Sequence, residues 1–192
     1  MPEVEPVTRA TRSLVAAVVK HHGRLDVLVN NAGESIRIPH ADLKAATPAV
    51  WRRMLDINLI APFVLMTEAE PALRKSAESG RPGCVVNIGT HSGVRPKGAS
   101  IPYATAKAGL HHVTRLLALA LGPDIRVNCV APGLVETPMA AGWPEATELW
   151  NTKAPMRRAA KPEDIADLVA ALCANDYVTG EILIADGGLN LT

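Results

Sequence analysis

Two residues one helical turn apart carry the most specific chemistry this chain offers. Tyr103 and Lys107 stand four positions apart in Tyr103-Ala104-Thr105-Ala106-Lys107, a spacing that puts both on one face of a helix. A phenol titrates near pH ~10, too high for efficient proton exchange at neutrality, and a neighbouring ammonium stabilises the phenolate. The pair is therefore a candidate acid/base. The same spacing is a common accident of helices, so its weight depends on the elements around it.

Those elements are legible from periodicity. After the pair, Leu110, Val113, Thr114, Leu117 and Leu121 recur at helical spacing until Gly122-Pro123 stops the helix. An amphipathic helix is expected over residues 6–22, with Val7, Leu14, Val15 and Val18 on one face and Gly23 as C-cap. Thr47-Pro48 starts a second helix, with Thr as N-cap and Pro at the first position, that continues to about Leu73. Pro162-Glu163-Asp164 opens the last, carrying Ile165, Leu168, Val169 and Leu172. Four short apolar runs, at 26–30, 84–88, 125–130 and 181–185, read as strands buried on both faces. Residues 133–161 show no clear period. Strand alternating with helix predicts one α/β domain over residues 1–192, with helices on both faces of a mostly parallel sheet. Ligands of such sheets bind beyond the carboxyl ends of the strands, which is where the polar clusters of this chain fall.

Composition narrows the partners. Lysine and arginine total 20 against 19 aspartates and glutamates, a net charge of +1 that argues against nucleic acid and membrane surfaces. Three scattered cysteines (Cys84, Cys129, Cys173) lie inside apolar stretches without metal-ligand spacing, which points to buried thiols, a reducing compartment and no metal site. The opening Met1-Pro2-Glu3-Val4-Glu5 carries acids where a signal peptide needs bases. A cytoplasmic protein is expected.

Four motifs now stand in order: Asn30-Asn31-Ala32-Gly33 after the first strand, Val85-Val86-Asn87-Ile88 in the second, the Tyr103/Lys107 pair, and Pro132-Gly133-Leu134-Val135-Glu136-Thr137 after the third. Together they resemble the short-chain dehydrogenase/reductase family, from about residue 7 to 192. The resemblance implies a Rossmann-like α/β/α fold and hydride transfer between NAD or NADP and a carbonyl or secondary alcohol, with Tyr103 exchanging the proton. It implies that Lys107 also bonds the nicotinamide ribose. Asn30, Ala32 and Gly33 would lie against the cofactor, with Pro132, Gly133, Val135 and Thr137 beside its carboxamide. It also implies a homo-oligomer formed through the helices at 48–73 and 102–121.

Two positions need separate argument. Asparagine is unfavourable inside a helix, yet Asn58 sits in one, and Pro62 four residues on has no N–H for the Asn58 carbonyl. A kink with a water in the gap is expected; in the family the matching asparagine holds a water touching the catalytic lysine. The family's serine, usually in Asn-(Ile/Val)-Ser-Ser, orients the substrate oxygen. Here the stretch reads Asn87-Ile88-Gly89-Thr90-His91-Ser92-Gly93. The family's spacing from the tyrosine selects Thr90, with Ser92 as the alternative and His91 as a loop residue. Met139, Trp143 and Trp150 belong either to a substrate lid or to ordinary packing.

The family's glycine-rich nucleotide turn does not occur before residue 30. The strand–helix–strand–helix–strand unit that bears it amounts to roughly 60 residues, and without it the strand at 26–30 becomes an exposed sheet edge. Two expectations follow: an oxidoreductase whose sequence here lacks its first three strands, or a non-catalytic remnant that oligomerises with full-length relatives.

Overall fold

The structure, a computed structural model, describes residues 4–192, and the side chains from residue 11 onward. Met1, Pro2, Glu3 and the side chains of Val4, Glu5 and Val7 lie outside that description. Helix α1 (Val4–His22) ends at Gly23, whose φ of 74° takes the left-handed conformation a helix stop favours. Strand β1 (Val27–Asn30) follows. Then come α2 (Pro48–Leu55), a π-helical turn (Asp56–Ile60), α3 (Ala61–Ala77) and β2 (Gly83–Ile88). A 3₁₀ turn (His91–Gly93) leads into α4 (Ile101–Leu121), β3 (Ile125–Pro132), α5 (Pro144–Lys153), α6 (Pro162–Ala174) and β4 (Ile182–Ala185).

The four strands form one parallel sheet in the order β1-β2-β3-β4. Its layers follow from alternation along the strands. Val85, Ile125 and Val127 point to one face and pack with Met66, Ala69, Leu73 and Ala118 of α3 and α4. Cys84, Val86 and Val130 point to the other, against Ile165 and Leu172 of α6. The sheet is thus covered on both sides, as a parallel sheet requires. The coverage stops at β1. Leu28 packs on the α3 side, but Val27 and Val29 on the other face remain 39% and 41% exposed.

Two elements differ from expectation. The helix from Thr47 is divided: the missing N–H of Pro62 is absorbed by a turn of π-helix at Asp56–Ile60, where the Ala61 N–H donates to the Asp56 carbonyl. The stretch without periodicity contains α5, opened by Pro144 with Glu145 in its first turn. Its only buried side chain is Trp150, so one point of contact leaves no hydrophobic period to read.

Candidate active site

Helix α4 carries the candidate acid/base pair, and its start is fixed by a cap. The buried Ser100 hydroxyl accepts from the Tyr103 N–H at 3.4 Å, with Pro102 in the first turn. Lys107, one turn on, is 4% exposed and donates from Nζ to the Ile88 carbonyl at the end of β2, at 2.7 Å. Burial brings its pKa down to about 8, so the ammonium still predominates at neutrality. Burial pushes the Tyr103 phenol upward, and the Thr90 hydroxyl beside it pulls the other way. The protein alone therefore leaves the phenol harder to ionise than free tyrosine.

Asn58 is fully buried at the centre of the π turn. Its amide nitrogen donates to the Met54 carbonyl at 3.0 Å and the Glu34 carbonyl at 2.9 Å, while its oxygen accepts from the Glu34 N–H at 3.2 Å. The side chain thus pins the chain leaving β1. At Gly33, next in that segment, a Cβ would lie 3.0 Å from the Asn58 Oδ1 and 3.5 Å from the Lys107 Nζ. Only glycine leaves that approach to the lysine open.

Thr90 is extended and caps the 3₁₀ turn, accepting from the Ser92 N–H at 3.4 Å and donating to the Pro132 carbonyl at 3.3 Å. Of the two candidate hydroxyls, Thr90 is the one beside Tyr103. Ser92 lies against Gly98, where a Cβ would come within 2.6 Å of its Oγ. His91 is more than a loop residue. It is buried, its ring meets Trp150 at a centroid distance of 5.2 Å, and its Nδ1 has no hydrogen-bond partner. Burial lowers its pKa despite the upward pull of Asp186.

These groups open onto a cleft of about 1080 Å³. Gly33, Asn58, Thr90, Ser92, Tyr103, Lys107, Pro132, Gly133, Val135, Thr137, Met139 and Trp143 all line it. Asn30 and Ala32 do not. The Asn30 amide donates to Asn87 at 2.8 Å, and Asn87 in turn to Thr114 at 2.9 Å, a chain that ties β1, β2 and α4 together beneath the cleft. Asn31 takes the lining position instead. Ser35, Arg37, Ile38, Pro39 and His40 also line the wall; the irregular backbone there carries no period, and nothing in the residue types marks it. Among the described residues no group of three or more His, Cys, Asp and Glu side chains could hold a metal, and no helix is long and apolar enough to cross a membrane.

A Rossmann-like sheet with a tyrosine–lysine pair at the carboxyl end of its strands defines a class of nucleotide-dependent oxidoreductase. Residues 7–190 match a family model described as enoyl-(acyl carrier protein) reductase. Ketoacyl reductase 2, so designated, of the granaticin polyketide synthase of Streptomyces violaceoruber is 46% identical over 187 residues, covering 94% of this chain and 72% of the relative. The rhamnolipid biosynthesis 3-oxoacyl-[acyl-carrier-protein] reductase of Pseudomonas aeruginosa is 36% identical over the same shares of each chain. The solved RhlG/NADP active-site complex of Pseudomonas aeruginosa superimposes with a TM-score of 0.86 at 34% identity, over 95% of this chain and 73% of that one. The chain belongs to the short-chain dehydrogenase/reductase family.

The family implies a nicotinamide nucleotide, and the residues present fit its nicotinamide end. Lys107 spends one N–H on Ile88 and has others to offer, Gly33 keeps the space beside it open, and Val135 and Thr137 border the same cleft.

Proposed function

We propose that this protein reduces a small carbonyl compound, or oxidises the matching secondary alcohol, with NAD or NADP. The observation that carries the reading is the half-buried Tyr103 set between the buried Thr90 and Lys107 and opening on the cleft. When bound, the nicotinamide ring supplies or accepts the hydride. The chain's own residues handle the proton. Tyr103 gives its phenolic proton to the substrate oxygen, and the Thr90 hydroxyl turns its one proton from the Pro132 carbonyl to donate a second hydrogen bond to that oxygen. The Lys107 cation, one helical turn away, is placed to lower the cost of the resulting phenolate. Asn58 holds the Gly33–Glu34 segment in place beside the lysine. Asn30 serves the same site from below, through Asn87. Met139 and Trp143 face the substrate end, and Ser92 contributes a polar wall.

The test is nicotinamide-dependent turnover with 3-oxoacyl thioesters and simple ketones, the first chosen because the relatives are named as acyl reductases. Tyr103→Phe keeps the fold and should remove turnover by about 10³-fold or more, since only the proton donor is lost. Activity within threefold of the parent would sink the assignment.

The pyrophosphate turn of the family is not among these 192 residues, and the chain spans 72% of the relatives above. We read the unpaired edge of β1 as the place where the remaining strands of the sheet pair, with the exposed Val27 and Val29 covered by what connects them. The groups present hold one end of the nucleotide, so this chain by itself should show no saturation by NAD or NADP at millimolar concentration in a calorimetric titration. Micromolar binding would show that they suffice. The reading includes a cytoplasmic setting and a homo-oligomer through the helices at 48–73 and 102–121, supported by Phe63 and the 86% exposed Leu119 on their outer faces. Those exposed side chains also support a second reading, in which the chain acts only by joining full-length relatives. It predicts association without turnover.

A further inference from the structure

The height of Thr90 over Tyr103 has to be set by something beneath the turn that carries it. His111 lies there. It stands one turn beyond Lys107, on the face of α4 that Tyr103 and Lys107 occupy. Its imidazole is 4% exposed, and its Nε2 has no hydrogen-bond partner. An orphaned buried nitrogen is costly, so a shape requirement is needed to explain why a ring is there at all.

Two glycines bracket that ring. A Cβ at Gly89 would lie 2.3 Å from the His111 Nε2 and 2.7 Å from the Cys129 Sγ. A Cβ at Gly93 would lie 2.6 Å from its Cε1, 2.8 Å from its Nδ1 and 3.1 Å from the Ala108 nitrogen. Neither glycine has a positive φ, so space and not backbone freedom demands the residue type. The slot also accounts for the departure at position 89, where the family's first serine would have no room. Lys107 and Arg115 of α4 and Cys129 of β3 face the ring, and the two cations favour its neutral form.

We propose that His111 is a positioning residue, whose ring, wedged between Gly89 and Gly93, sets where the 89–93 turn presents the Thr90 hydroxyl to Tyr103. The proposal rests on the reading of Thr90 and Tyr103 above. His111 itself touches neither substrate nor nucleotide in this role.

A double-mutant cycle tests it. Gly93→Ala is the chosen partner because both of its contacts under 3.0 Å are with His111. At Gly89 the cysteine would still interfere. In the 192-residue chain, amide exchange is read at Ser92, Gly93 and Val94, whose N–H groups bond within the turn. Gly93→Ala should speed exchange there about tenfold and leave β2 and β3 unchanged. Adding His111→Ala should bring it back to within about threefold of the parent, a coupling expected only of groups in contact. In the catalytically competent protein the same change should lower kcat about tenfold with nucleotide KM within twofold, and the double variant should recover, because small misplacements act on kcat. Additive effects in the cycle would overturn the proposal. If Gly93→Ala does not fold, the double variant must recover the circular dichroism spectrum, and failure to do so overturns it equally. Absence of turnover in the parent counts against the proposed reaction, while the exchange cycle still decides the wedge.

Discussion

The two sides of the cleft hold their side chains by different means. On the floor, Asn58, Thr90 and Lys107 are buried, and each is tied to backbone: Asn58 to Met54 and Glu34, Thr90 to Pro132, Lys107 to Ile88. Lys107 stands on α4, Asn58 on the π turn, and Thr90 just beyond β2 as the cap of the 3₁₀ turn; α4 and β2 pack on the main core. Across the cleft, Met139 and Trp143 sit on residues 134–160, and that segment has a small cluster of its own. There Leu134, Trp150, Ala154, Ala159 and Leu189 pack together, and the Trp150 indole donates to the Asp186 carbonyl at 3.1 Å. Proton transfer needs groups held to a fraction of an ångström, and buried hydrogen-bonded side chains on rigid elements provide that. Substrate selection tolerates a looser wall, and loops with their own small core provide that. The floor should then govern kcat, and the lid KM.

The largest effect that separates the two sides is expected at Thr90. Thr90→Val keeps the shape and removes the hydroxyl beside Tyr103, and should lower kcat by about 10²-fold, the usual loss for one positioned donor to a developing oxyanion. Thr90→Ser should stay within a few-fold of the parent. Steady-state kinetics distinguish these outcomes from damage to substrate binding, which would appear in KM. Should Ser92→Ala do the greater harm, the floor is assigned to the wrong hydroxyl.

The same contrast explains what the sequence disclosed. The floor was legible because residue types at fixed spacing mark it, Tyr103 to Lys107 and Asn58 to Pro62, while the family resemblance pointed to Thr90 with Ser92 as the alternative. Strands and helices there are buried on long faces, so periodicity marks them. The lid was not. Helix α5 buries a single side chain, Trp150, and shows no period for that reason. His91 and His111 were also invisible as site-shaping residues, because their burial depends on Trp150 and on two glycines distant in sequence. Alternation also separates Asn30, whose amide bonds Asn87, from Asn31, which lines the cleft, a distinction that the motif alone does not make.

The floor should also carry an acid sensitivity that the lid lacks. Burial, with Arg115 and Lys107 nearby, brings the His111 pKa down to about 4 from a usual 6.5. Between those values the unfolded chain binds a proton that the folded chain refuses. Stability is therefore undiminished above about pH 7 and lost as pH falls through 6.5 toward 4, with His91 acting in the same direction. The full effect of His111 is on the order of 3 kcal/mol, reached only below about pH 4. Urea unfolding at pH 7 and pH 5 would measure it, and His111→Leu should flatten the slope. A slope unchanged in that variant would place the acid sensitivity elsewhere.

The smallest effect belongs to the lid. Met139 is 50% exposed and lines the cleft, and it is not part of the cluster that holds the segment together. Met139→Ala removes apolar contact area without opening a cavity in any core, so its melting midpoint should stay within about 2 °C of the parent. A substrate that touches Met139 loses a few methylene-sized contacts, worth about 1 kcal/mol at most. KM for the carbonyl substrate should rise about threefold, and kcat should stay within twofold, because the groups that move the proton are untouched. If kcat fell tenfold instead, the lid would be helping to place the substrate oxygen over Tyr103, and the division between a catalytic floor and a selective lid would fail. Repeating the measurement with a longer acyl chain sharpens the point: the KM penalty should grow with chain length if Met139 meets the acyl tail, and stay constant if it meets the carbonyl end.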